Sequence, residues 1–179
     1  MIAFLRAVNV GGRTAKSTQL ITAFKSLGFE DVKTFLASGN VLFEVAGSQN
    51  LLTQKNRIES RLSKDLGFKT EVILRSKDQV AAIAKKNAFK LTDPEKEEFS
   101  VNVALFLEPP PKPIQKEVYR LRNNYDDFVF DGCELYWLCR GKKISDSTLF
   151  SSNQLAKALS LTNTMRNMRT FIRLSNLDA

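Results

Sequence analysis

The first ten residues are almost continuously apolar, the pattern of a central strand covered on both faces. Leu20, Ile21, Phe24 and Leu27 then recur at helical spacing behind Ser17 or Thr18 as a cap, and Gly28 stops that helix. Two short strands are predicted over residues 32–37 and 41–45, joined by the turn Ser38-Gly39-Asn40. Leu51, Lys55, Ile58, Leu62 and Leu66 mark a second helix ending at Gly67, and residues 70–74 form a fourth strand. The predicted order βαββαβ is that of a ferredoxin-like unit closing near Ser76.

The second half carries a weaker version of the same signals. Residues 80–88 are predicted helical, residues 101–107 extended, and Pro109-Pro110-Pro111 makes a stiff break before a helix over 114–122. A hairpin follows, with a strand over 128–130, a turn at Asp131-Gly132 and a strand over 133–139. A helix is expected over 152–159, and residues 92–98, acidic and polar, are expected to form a surface loop. Near the end Asn167 caps a short helix whose apolar positions Met168, Phe171, Ile172 and Leu174 suit docking. The chain is therefore expected to be α+β, with one subdomain over 1–76 and a second over 77–179 whose last helix docks on the first.

Composition narrows the chemistry. Histidine is absent, which removes the commonest general base, Ser-His and Cys-His nucleophile pairs and imidazole metal sites. Cys133 and Cys139 lie in one predicted strand, about 20 Å apart, too far for a mutual disulfide. The formal net charge is +8, with the excess cations at the two ends of the chain. A positive field favours anionic partners: nucleotide, nucleic acid or phosphorylated metabolite. No apolar stretch approaches the roughly 20 residues of a membrane helix, and Met1-Ile2-Ala3-Phe4 carries no leader pattern. The expectation is a cytoplasmic protein with no membrane contact.

Three segments carry candidate chemistry. Arg6 and Asn9 sit at the end of the first apolar stretch, before Gly11-Gly12; Arg6 either clamps an anion or pairs with a carboxylate, and the glycines either cradle a ligand or only turn the chain. The run that follows is not a phosphate-binding P-loop, because Val10 and Ala15 stand where that motif needs glycine. Ser38-Gly39-Asn40 is a good turn by itself, and the strand order places its Asn40 beside Asn9. Arg166-Asn167 is either a helix cap with a surface cation or an anion site at a helix N-terminus, with Arg169 as a second cation. No serine stands three residues before a lysine, so a Ser-Lys nucleophile is excluded, and catalytic residues are left unassigned. Asp126, Asp127, Asp131 and Glu134 are explained by turn formation and solvation rather than by a metal, and no cofactor motif is present. An RRM-like use of the first sheet is disfavoured, since residues 38–45 lack the exposed aromatic pair that stacks bases.

The series Phe4-Leu5-Arg6-Ala7-Val8-Asn9-Val10-Gly11-Gly12, then Leu27-Gly28-Phe29, Val32-Lys33-Thr34-Phe35 and Ala37-Ser38-Gly39-Asn40-Val41, resembles the bacterial family known as domain of unknown function 1697. The resemblance extends to Thr164-Met165-Arg166-Asn167-Met168-Arg169-Thr170. Ala7 departs from the glycine usual in that family, and Met168 from its frequent tryptophan. The resemblance implies two ferredoxin-like (α/β plait) subdomains and no established activity. Two functional expectations follow. One is recognition of a small anionic ligand, phosphorylated or carboxylated, in a cleft between the subdomains through Arg6, Asn9, Gly11, Gly12, Ser38, Gly39, Asn40, Arg166 and Asn167. The other is a module with a basic surface for nucleic acid or protein and no small-molecule site.

Overall fold

The computed structural model describes residues 1–37, 39–45, 47, 50–91, 99–141 and 144–177. The turn residue Ser38 and the acidic stretch 92–98 lie outside the described residues. The chain divides into two compact units, Met1–Val80 and Ala81–Ala179.

The first unit runs β1 (Ile2–Leu5), α1 (Ser17–Ser26), β2 (Glu30–Phe35), β3 (Asn40–Glu44), α2 (Leu51–Leu66) and β4 (Val72–Arg75). Its strands lie in the order β2-β3-β1-β4, each antiparallel to its neighbour, with Phe4 opposite Asn40 and Leu5 opposite Val72. The pleat turns Ala3, Leu5, Phe43 and Val72 toward Leu20 and Phe24 of α1 and Ile58 and Leu62 of α2, which makes the core. Phe24, Phe29 and Phe43 stack edge-on or tilted within it, with ring centroids 4.6–5.8 Å apart. Each buried ring removes a large apolar area from water, and the offset geometry adds to that burial term. Ile2, Phe4 and Ile73, on the opposite pleat, are equally buried, which is why the strand reads as an unbroken apolar run. Asn50 caps α2 by accepting from Leu52 N and Thr53 N, and Gly67, at φ 75°, ends it in the left-handed conformation.

One boundary differs sharply from the pattern. Extended backbone stops at Leu5 rather than near Val10, because Ala7 and Asn9 take left-handed φ values of 57° and 58° that no strand accommodates. Val8 still turns into the core at 5% exposure. The apolar run thus continues in burial after it has ceased to be a strand.

In sequence, α3 (Lys77–Lys85) spans the division between the units. The second unit then runs β5 (Ser100–Phe106), α4 (Lys112–Tyr119), β6 (Asp126–Asp131), β7 (Glu134–Cys139), a 3₁₀ turn (Ile144–Asp146), α5 (Thr148–Ser151), α6 (Gln154–Leu159), β8 (Asn163–Asn167) and α7 (Met168–Ser175). The strand order is β6-β7-β5-β8, again antiparallel throughout. Ala104, Phe106, Phe128, Leu135 and Trp137 pack under Val118, Leu149, Leu155 and Leu159. The helix expected over 152–159 is α6, which begins at Gln154 after Asn153 takes φ 56°, and the short α5 before it was not expected. Strand β8, absent from the sequence reading, pairs Asn102 with Asn167 and Phe106 with Asn163. The protein is thus α+β, with two four-stranded antiparallel sheets and several helices, an arrangement consistent with two ferredoxin-like subdomains. Among the described residues no helix is long and apolar enough to cross a membrane.

Candidate functional site

The loop leaving β1 is held in shape by its own polar groups. Arg6 N donates to Glu71 O at 2.8 Å, so the β1–β4 ladder extends one residue past the strand, and Arg6 Nη1 bonds Glu71 Oε2 at 2.6 Å. The Arg6 side chain remains 47% exposed, so its guanidinium is both paired and accessible. Asn9 Nδ2 donates to Ala37 O at 2.6 Å, and Asn9 Oδ1 accepts from Ala15 N at 2.9 Å. One amide therefore ties the loop to the β2–β3 turn and to the approach of α1. Gly11 and Gly12 lie at φ 58° and 79° with open space where a Cβ would stand. Four of the six residues from 7 to 12 are accordingly left-handed, two of them without a glycine's freedom.

Gly39 explains how the turn meets this loop. Its φ is 71°, a Cβ built there would lie 3.1 Å from Leu5 Cβ and 3.3 Å from Val8 Cβ, and its carbonyl accepts from Leu5 N at 2.8 Å. No side chain fits. Asn40 is fully buried and donates from Nδ2 to Phe35 O at 2.8 Å. Asn9 and Asn40 thus both bond the segment 35–37, and the structure brings them to the same turn. Only Asn9 is exposed; Asn40 acts inside the sheet. Farther along the loop Arg13 Cζ lies 5.7 Å from the Phe68 ring centroid, and Lys16 N donates to Gln19 Oε1 at 2.9 Å at the start of α1.

The second-unit candidates lie on β8 and at the start of α7. Arg166, opposite Val103 on β5, is half-buried and donates from Nη1 to Thr164 Oγ1 and Met165 O, both at 2.8 Å. Burial pulls its pKa down to about 10, so it stays a cation at neutral pH while carrying a desolvation cost. Asn167 caps α7 by accepting from Arg169 N at 3.0 Å, and its Nδ2 reaches Asn102 Oδ1 at 3.4 Å. The arginine therefore precedes a helix N-terminus, but from a strand.

The acidic residues of β6 have other duties. Asp126, 1% exposed, accepts from Trp137 Nε1 at 2.7 Å, Ser147 Oγ at 3.0 Å and Asn123 Nδ2 at 3.3 Å. Asp127 pairs with Arg122 and Asp131 with Lys86. Among the described residues no cluster of three metal-ligating side chains occurs. Cys139 is buried, and its thiol is pushed up to about 11, chiefly by desolvation and then by Asp126, so it is protonated and unreactive at neutral pH. Sequence reasoning missed Glu71, the ion-pair partner of Arg6. Its signal was available: a lone carboxylate directly before the apolar run Val72-Ile73-Leu74, on the strand that pairs with β1.

These features define an α+β protein of two antiparallel sheets with a polar, glycine-bearing loop leaving the first strand. A family model described as a protein of unknown function, DUF1697, matches residues 1–136, and the chain belongs to that family. A solved structure, conserved bacterial protein SP0830 from Streptococcus pneumoniae, is similar in fold: TM-score 0.74, 16% identity, covering 98% of this chain and 96% of that one. No curated protein matches the sequence.

Proposed function

We propose that the protein recognises a small anionic ligand, phosphorylated or carboxylated and including nucleotides, and that each of its units is a ferredoxin-like plait. The observation that carries this reading is the loop over 6–12. Left-handed residues without glycine's freedom cost about 1–2 kcal/mol each and persist only where surrounding contacts enforce them. Here Ala7 and Asn9 hold such a conformation while the loop presents Arg6, exposed backbone at Gly11-Gly12, and the cations Arg13 and Lys16. A shaped, solvent-facing backbone with several cations suits an anion. Gly39 and Asn40 contribute by fixing the adjacent turn, and Arg166 with Asn167 forms a separate candidate within the second unit, a desolvated guanidinium beside a capped helix start. Arg6 binds the anion, Asn9 sets the loop, and Glu71 holds Arg6 in place in the free protein.

A thermal-shift panel of nucleotides, sugar phosphates and dicarboxylates tests the reading on the wild type, Arg6→Ala, Arg166→Ala and Glu71→Gln. A ligand at 100 times its Kd stabilises by about 2.7 kcal/mol. Stabilisation by at least one anion, lost in Arg6→Ala and increased in Glu71→Gln because its competing carboxylate is gone, is the expected result. A panel without effect, or equal effects in wild type and Arg6→Ala, refutes it. Salt-sensitive stabilisation by short nucleic acids alone would instead favour the basic-surface module. That alternative is weakened by α2, whose cations Lys55 and Arg61 are already paired with Glu59 and Asp65.

A further inference from the structure

A candidate recognition surface lies within the second unit. Helices α4 and α6 pack side by side and leave a groove of about 690 Å³. Its floor is apolar and half-buried, from Ile114, Leu121 and Ala158. Its rim carries three exposed cations, Lys116, Arg120 and Lys157. Glu117, the one acidic residue of the lining, is bonded by Arg120. Among the described residues neither Lys116 nor Lys157 has an ion-pair partner.

We propose that this groove docks an acidic amphipathic peptide segment of a partner protein. The argument is complementarity of two kinds at once. Half-buried aliphatic surface between two helices is the usual seat for the apolar face of a third helix or a short extended segment. The eight residues of α4 run about 12 Å, enough to contact about two turns of a bound helix. Lys116 in α4 and Arg120 at its C-cap stand four residues apart, and Lys157 occupies the last turn of α6. Carboxylates flanking the partner's apolar anchors would therefore meet cations on both walls. No aromatic ring lines the groove to stack a base, so the surface is poorly suited to single-stranded nucleic acid.

The test uses a fluorescein-labelled amphipathic peptide with leucines at helical spacing and glutamates elsewhere, together with its lysine counterpart, in fluorescence anisotropy on the full chain. The glutamate peptide is expected to bind at least about tenfold more tightly than the lysine peptide, with affinity falling as salt rises. A triple charge reversal, Lys116→Glu with Arg120→Glu and Lys157→Glu, should abolish that preference while leaving Tm near the wild-type value. Ile114→Asp should weaken binding without altering the rim charges. Equal binding of the two peptides, or wild-type affinity in the triple variant, overturns the proposal. Displacement of the peptide by octanoate at the concentration that saturates octanoate's own binding would assign the groove to a small anionic amphiphile, and displacement by a short single-stranded oligonucleotide would assign it to nucleic acid. Either also overturns it. Arg6→Ala leaves the peptide affinity unchanged, so failure here is separable from failure of the loop.

Discussion

Replacing Thr70 by valine should stabilise the protein. Thr70 is 1% exposed, and its Oγ1 is a buried side-chain oxygen with no hydrogen-bond partner. It stands just ahead of β4, two residues before Val72 and four before Leu74, both in the first unit's core. A buried hydroxyl left unpaired costs about 1–3 kcal/mol, while valine has nearly the same shape with a methyl in place of the hydroxyl. The expected gain is about 1–2 kcal/mol, a rise in Tm of about 2–8 °C for a chain of this size. Differential scanning calorimetry and urea denaturation followed by far-UV circular dichroism measure it. Thr70→Ser, which keeps the hydroxyl and deletes the methyl, should lose about 1 kcal/mol. A valine variant less stable than the wild type would refute the reasoning, since it would show that the hydroxyl is satisfied in solution.

Four further outcomes are expected. Gly39→Ala should cost about 2–4 kcal/mol, because left-handed strain adds to contacts at 3.1 and 3.3 Å, whereas Gly12→Ala, with the strain but open space, should cost about 1–2 kcal/mol; equal losses in urea denaturation would remove the packing argument. Asn9→Ala should lose about 1–3 kcal/mol and speed amide exchange at Ala15, whose N–H loses its acceptor, as read by hydrogen exchange. Asp126→Ala leaves Trp137 Nε1 and Ser147 Oγ without their acceptor and should cost about 3–5 kcal/mol, with a red shift of the single tryptophan's emission; an unchanged spectrum would contradict the network. Because the folded Cys139 thiol titrates at about 11 against an ordinary 9.0, its contribution is intact below pH 9 and lost as pH rises toward 11. Alkylation near pH 8 should therefore mark Cys133 and spare Cys139 until the protein unfolds.

Periodic segments were legible from sequence, and segments made by distant partners were not. Helix α2 announced itself through Ile58, Leu62 and the terminal Gly67, because its signals are local. Strand β8 did not, since Asn163-Thr164-Met165-Arg166-Asn167 has one large apolar residue and becomes a strand only by pairing with β5, some 60 residues earlier. The same limit hid the left-handed turn at Ala7: an alanine in an apolar run gives no sign of a positive φ, which Asn9 and the fit of Gly39 against Val8 impose from elsewhere. Arg6 and Asn9 were visible as polar residues interrupting that run, whereas the exposure of Arg6 and the full burial of Asn40 came from how the chain turns after Leu5.

The charges on two of the outer strands, β2 and β6, have a meaning for the protein in a crowded solution. An open sheet ends in a row of free peptide groups onto which a strand of another molecule can add. β2 places the exposed Glu30, Asp31 and Lys33 on such an edge, and β6 places Asp127 and Asp131. A neighbouring molecule trying to extend any of these sheets would have to strip water from those groups. The charges of β2 and β6 thus discourage each sheet from growing, molecule upon molecule, along those two edges.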